Sequence, residues 1–152
     1  MDTNQLEEYL HDRIPLARAM AIEVREATVG RVTLFAPLAP NINHRDTVFG
    51  GSASAVAILA AWSVVRVRML AEGLEGRIVI RRNTMSYEQP MSAGFTATAG
   101  APDPTDWAKL RAALARGRPG RVRATAVLEC QGSRTGELDG EFVVLPNGGG
   151  AK

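Results

Sequence analysis

The alternation of apolar and polar positions divides this chain into a helical start, strand pairs and one long apolar stretch. Leu6 to Met20 follow a helical rhythm that Pro15 interrupts, because proline removes a backbone donor and restricts the residue before it. The segment AIEVREATVGRVTLFA then alternates, with Ile22 and Val24 on one arm, Val32 and Leu34 on the other and Gly30 in the turn, which predicts a hairpin. From about Gly50 to Leu70 the chain is apolar almost all round, the pattern of a helix enclosed by other structure. RIVIRRNTMSYEQP predicts a strand over Arg77 to Tyr87 that stops at Pro90, and AGFTATAGA predicts its partner across a turn of Pro90, Met91 and Ser92. DPTDWAKLRAALARG carries its own boundaries: Asp103 as N-cap, Pro104 at the first helical position, Gly117 as the stop, and Trp107, Leu110 and Leu114 on one face. RVRATAVLECQGSRTGELDGEFVVL predicts a second hairpin turning near Gln131 to Ser133, with Cys130 buried in register with Val122, Ala124, Ala126 and Leu128.

The predicted order is helix, hairpin, long buried helix, long strand pair, short helix, hairpin. Such an order implies an α+β architecture in which a mostly antiparallel sheet curls round one central helix. With 152 residues, one domain over 1–146 is expected, followed by a flexible tail at 147–152. Composition changes this picture little: 45% of residues are hydrophobic, 22% are charged, and a net charge of +2 is too small to argue for nucleic acid. The acidic start MDTNQLEEYLHDR lacks the pattern of a signal peptide. The apolar run Gly50 to Val65 is shorter than a bilayer span and closed by Arg66 and Arg68, so a cytoplasmic protein without a membrane partner is expected. One cysteine makes no internal disulfide, and with only His11 and His44 it offers no metal-ligand spacing; neither metal nor cofactor is expected.

Candidate chemistry concentrates at NINHRDTVFGGSASAVAILAAW, residues 41 to 62, where a dense polar loop empties into the apolar helix. Loops that abut a rigid buried element are where binding and catalytic groups gather. Three segments, NINHRDTVFGGS, YEQP at Tyr87 to Pro90 and GELDGEFVVL near the end, together resemble the hotdog fold and, within it, the bacterial thioesterase family typified by the YiiD C-terminal domain. The likeness extends over nearly the whole chain. It implies a curved antiparallel sheet wrapped around a long central helix, a homodimer or dimer of dimers, and action on acyl groups held as thioesters of coenzyme A or acyl carrier protein.

On that resemblance, the bare N–H groups at Gly50 and Gly51 would form an oxyanion hole for the thioester carbonyl, since a helix N-terminus offers unpaired donors and the positive end of the macrodipole. Asn43 would add an amide that does not titrate, and His44 a general acid or base; either can equally serve as a turn or strut residue, as can Asn41. Asp46 stands within capping reach of the helix. Phe49 and Tyr87, carried by the motifs, are expected substrate contacts. Arg81, Arg82, Arg118 and Arg121, with Arg116 and Arg123 nearby, suit the phosphates of coenzyme A or an acidic carrier protein, or else form a solvated face.

Many hotdog thioesterases carry an acidic residue on the central helix about two turns after the glycines. Here Gly51 to Ala71 contain no Asp or Glu, so hydrolysis must recruit Asp46, His44 or Glu88. Two alternatives follow from that gap. Decarboxylation of a malonyl thioester, malonyl-carrier protein in particular, needs an oxyanion hole more than a base, and a non-enzymatic acyl-coenzyme A binding protein needs neither.

Overall fold

The computed structural model describes residues 1–148, so most of the expected tail, 149–152, lies outside the described residues. Asp2 starts the first helix, α1 (Thr3–Arg13): its carboxylate accepts the Gln5 N–H while the Gln5 side chain accepts the Asp2 N–H. Pro15 breaks the run as expected, and a five-residue helix, α2 (Pro15–Ala19), follows Ile14. The first hairpin forms from β1 (Glu23–Thr28) and β2 (Arg31–Ala36), with Val24 opposite Leu34.

The long apolar stretch is α3 (Gly50–Ala71), 22 residues. Val56, Ala57, Ala60, Ala61, Val64 and Val65 along it are completely buried, and the alanines let the sheet approach closely. Burying each valine contributes about 1.5–3 kcal/mol, so α3 is the centre of the core. By length and composition α3 could cross a membrane, but most of its apolar surface is covered by the fold itself.

Around it curls one six-stranded sheet completed by β3 (Arg77–Tyr87), β4 (Phe95–Gly100), β5 (Gly120–Cys130) and β6 (Ser133–Leu145). The order is β1-β2-β4-β5-β6-β3, and every pair is antiparallel. This corrects one expectation: β3 and β4 are neighbours in sequence but not partners. β3 pairs with β6, while β4 lies between β2 and β5. The physical cause is in the link between them. Glu88 and Gln89 donate their N–H groups to the Thr135 carbonyl, and Val48 donates to the Met91 carbonyl, which carries the chain across the end of the sheet. Phe95, Ala97 and Ala99 then enter the core on a central strand, whereas β3 stays at the edge, exposed along most of its length.

α4 (Pro104–Ala115) starts where expected, the Asp103 carboxylate accepting the Thr105 and Asp106 N–H groups. Trp107 and Leu110 are buried and Leu114 packs against the same core. The second hairpin is β5 and β6, and Cys130 is buried and free in the predicted inward register.

Candidate active site

Among the described residues three helices exceed ten residues, and two begin under an aspartate. α3 instead begins after Phe49, whose side chain has no acceptor to offer. Its approach is firmly tied: the Phe49 N–H donates to the Asn41 carbonyl at 2.8 Å and the Val48 N–H to the Met91 carbonyl at 2.8 Å. Ala53 makes the first intrahelical bond, to the Phe49 carbonyl at 3.0 Å. The N–H groups of Gly50, Gly51 and Ser52 precede it and, among the described residues, have no protein acceptor.

Aromatic rings stand on either side of this bare helix end. A Cβ at Gly50 would lie 3.6 Å from Tyr87 Cε1, and one at Gly51 only 2.4 Å from Phe49 Cε1, so Gly51 leaves room for the Phe49 ring. Both rings are more than half exposed. Beside the helix end lies a cavity of about 200 Å³ lined by Gly50, Ala53, Tyr87, Glu88, Met91 and Thr135 among others. Glu88 is the carboxylate on its wall, and Arg134 holds it through an Nε–H donated at 3.1 Å. The hydrogen bonds that Arg134 donates, first to Glu137 and then to Glu88, raise its pKa above the ordinary value, so Arg134 stays a fixed cation. Thr135, buried in the same wall, donates its hydroxyl to the Met91 sulfur at 3.0 Å.

The polar loop builds the approach to this end. Asn41 is buried, its amide donating to the Met20 and Pro37 carbonyls at 3.0 and 2.8 Å, which ties α2 to the end of β2. Asn43 Oδ1 accepts the Arg45 and Thr47 N–H groups at 2.8 and 3.2 Å, and Nδ2 donates to Thr47 Oγ1 at 2.9 Å. Every Asn43 side-chain hydrogen bond thus stays between residues 43 and 48, an Asx-type turn. His44 and Asp46 are exposed at the loop tip. Asp46 has φ +61° and takes no part in capping α3. Gly50, Tyr87 and Glu88 line the cavity together; Phe49 and Gly51 flank Gly50 without lining it, and His44 and Asp46 do not line it.

The arginines lie along the sheet. Arg81 pairs with Glu141 at 3.0 Å, Arg121 approaches the same carboxylate at 3.9 Å, and Arg123 pairs with Asp139. Arg82 and Arg118 are exposed without an ion pair among the described residues. Arg121 is level with Val143 and hence with Val79, eight residues before Tyr87 on β3. At about 3.4 Å per residue that is roughly 27 Å from the helix end, too far for Arg118 and Arg121 to meet the reacting group within one chain. Met91 and Thr135 were not predicted as lining residues. The signal for the latter is Gly136, where a Cβ would lie 2.6 Å from the Ser86 carbonyl oxygen: a glycine inside a strand marks close backbone approach. Among the described residues no group of three or more His, Cys, Asp or Glu could hold a metal ion.

Residues 3–146 match the family described as "Putative thioesterase (yiiD_Cterm)". The chain belongs to this family. The thioesterase so described from Shewanella oneidensis is 30% identical, with a TM-score of 0.85 over 95% of this chain and 97% of that one. A protein of unknown function from Chlorobaculum tepidum is 25% identical, with a TM-score of 0.87 over 95% of this chain and 94% of that one. A thioesterase from Haemophilus influenzae, at 13% identity and a TM-score of 0.76 over 96% and 92%, shares the fold. The chain therefore has the hotdog architecture, its antiparallel sheet wrapped around α3.

Proposed function

We propose that this protein hydrolyses acyl thioesters of coenzyme A or acyl carrier protein at the N-terminus of α3, in the cytoplasm. One observation carries the reading: α3 starts with unpaired N–H groups at Gly50 and Gly51, and Gly50 shares a cavity with Glu88. The thioester oxygen lies against those N–H groups. Glu88 accepts a proton from water as its oxygen adds to the carbonyl carbon, and the charge that develops on the carbonyl oxygen is stabilised by the helix end. The C–S bond then breaks, the proton passes to the departing thiolate, and a carboxylic acid and a thiol leave. Phe49 and Tyr87 frame the opening, while Asn43 holds the loop that positions Phe49.

A homodimer, or a dimer of such dimers, fits this reading. β3 is an eleven-residue edge strand with Val79, Ile80 and Tyr87 exposed, and a long unpaired edge of this kind needs covering. A second copy paired along β3 would bring its arginines toward this Tyr87, which one chain does not do alone.

A second reading, decarboxylation of a malonyl thioester, draws on a different observation: α3 carries no acidic residue, and Glu88 is engaged by Arg134. There the C–C bond to the carboxylate breaks, carbon dioxide leaves, the electron pair forms an enolate at the same N–H groups, and a solvent proton completes the acetyl thioester. Mass spectrometry of the purified protein with malonyl-carrier protein and a panel of acyl-coenzyme A thioesters separates the readings. Free thiol supports hydrolysis, acetyl-carrier protein replaces it with decarboxylation, and unchanged thioesters with measurable binding reduce the site to a receptor.

A further inference from the structure

Near the C-terminus of α3 stands a cation that no carboxylate answers. Arg68 approaches Glu72 at 4.0 Å, but Arg66 has no ion pair among the described residues. Its guanidinium carbon lies 3.9 Å from the centre of the Tyr9 ring and 5.7 Å from that of Trp62, so aromatic faces stand where an anion would. The Arg66 Nε–H is sealed from solvent without an acceptor, whereas the two Nη groups are neither sealed nor bonded among the described residues. Those two donors, side by side in one plane, match the two oxygens of a carboxylate.

Arg66 lines a cavity of about 230 Å³ together with Met69, Leu74, Ile78, Asn147 and Glu75. Glu75 is exposed and likewise has no ion pair among the described residues, so an unpaired cation and an unpaired anion line one cavity without reaching each other. The wall they share is apolar: Met69 is buried, and Leu74 and Ile78 pack against the core. The turn that brings Glu75 here is held on both sides. Leu74 donates its N–H to the Met69 carbonyl at 2.9 Å, and Gly76 lies so close to β6 that a Cβ would stand 2.6 Å from Val144 Cγ1 and 2.9 Å from the Leu145 carbonyl oxygen.

We infer that this cavity is a binding site for a small zwitterion with an aliphatic body, an aliphatic α-amino acid. Its carboxylate accepts from the Arg66 Nη groups, its ammonium meets Glu75, and its side chain lies on Met69, Leu74 and Ile78. A simple carboxylic acid would leave Glu75 facing a second anion, and a simple amine would leave Arg66 facing a second cation. At about 30 Å³ for each water-sized group the cavity takes on the order of eight such groups, about the number of non-hydrogen atoms in valine or leucine. Arg66 is sixteen residues beyond Gly50, roughly 24 Å at about 1.5 Å per residue. The site is therefore separate from the bare helix end, and the inference stands without the thioester reading.

The test is calorimetric titration of the full chain with L-leucine, and with 4-methylpentanoate and 3-methylbutylamine, which keep its aliphatic body and one charge each. Leucine is expected to bind about tenfold or more tightly than either, the worth of one charge-assisted contact. Glu75→Gln is expected to weaken leucine by a similar factor and to leave the acid unchanged or better bound. Arg66→Gln is expected to weaken leucine and the acid together while sparing the amine. Glu75 is exposed in a turn, so its variant keeps the test intact should Arg66→Gln, which loses its packing on Tyr9, fail to fold. No saturable heat with leucine overturns the inference. So does an acid that binds as tightly as leucine, which would make this a plain anion site, and so does leucine binding that both substitutions leave unchanged.

Discussion

The two ends of α3 are built on opposite principles. At its C-terminus Glu72 donates its N–H back to the Arg68 and Met69 carbonyls, Gly73 follows at φ +66°, and the Glu72 carboxylate accepts the Trp107 indole N–H. Arg68 stacks over the Trp107 ring at 4.4 Å. That end is closed by its own chain, with a cation and an indole joining α3 to α4. At the N-terminus no side chain caps the helix, two glycines leave the N–H groups uncovered, and the neighbouring rings of Phe49 and Tyr87 face solvent. The same chain caps α1 and α4 with aspartates, and the uncapped start of α3 is the feature on which the proposed carbonyl site rests.

This contrast can be broken at either end, and the effects should differ in kind. The largest is structural: Trp107→Ala removes a buried indole, with a loss of about 3–5 kcal/mol in a urea or guanidinium titration, while turnover per folded molecule stays unchanged. Next is Gly51→Val, which displaces the Phe49 ring and covers the donors. Losing one such donor costs about 2.7–4 kcal/mol in the transition state, so kcat should fall roughly 100- to 1000-fold with the denaturation midpoint little changed. A variant that instead loses stability in proportion to activity would make the N-terminus merely structural.

Glu88→Gln keeps the shape of the cavity wall and removes the base, so hydrolysis should fall by about 100-fold while decarboxylation of malonyl-carrier protein, if that is the reaction, is spared. Asn43→Ala deletes the Asx-turn bonds and should cost about 1–2 kcal/mol of stability, with activity falling through disorder of the 43–48 loop. Smallest of all, Arg121→Ala should stay within about 0.5 kcal/mol of the parent stability, since its 3.9 Å contact with Glu141 is exposed.

Much of the fold could be read from local patterns because local physics determines it. β5 buries every second position from Gly120 to Cys130, and Asp103, Pro104 and Gly117 bound α4 as their chemistry dictates. The partner of β3 could not be read in this way. Its residues are exposed on both faces, so no alternation marks a buried side, and the bonds that send the chain to β4 involve Thr135, forty-odd residues later. The site divides similarly. Gly50, Gly51 and Tyr87 belong to motifs visible in sequence, but Asn43 is satisfied within its own loop, a fact that depends on the backbone at 45, 47 and 48.

The claim that the bare end of α3 receives the acyl carbonyl is tested most directly by amide NMR. A ketone analogue of an acyl thioester, with a methylene in place of sulfur, supplies the carbonyl without the leaving group. The account predicts downfield shifts of the Gly50 and Gly51 amide protons on binding, larger than those of any amide in β5, and their loss in Gly51→Val. Binding that perturbs the Arg118 to Arg123 segment while leaving Gly50 and Gly51 unmoved would contradict it.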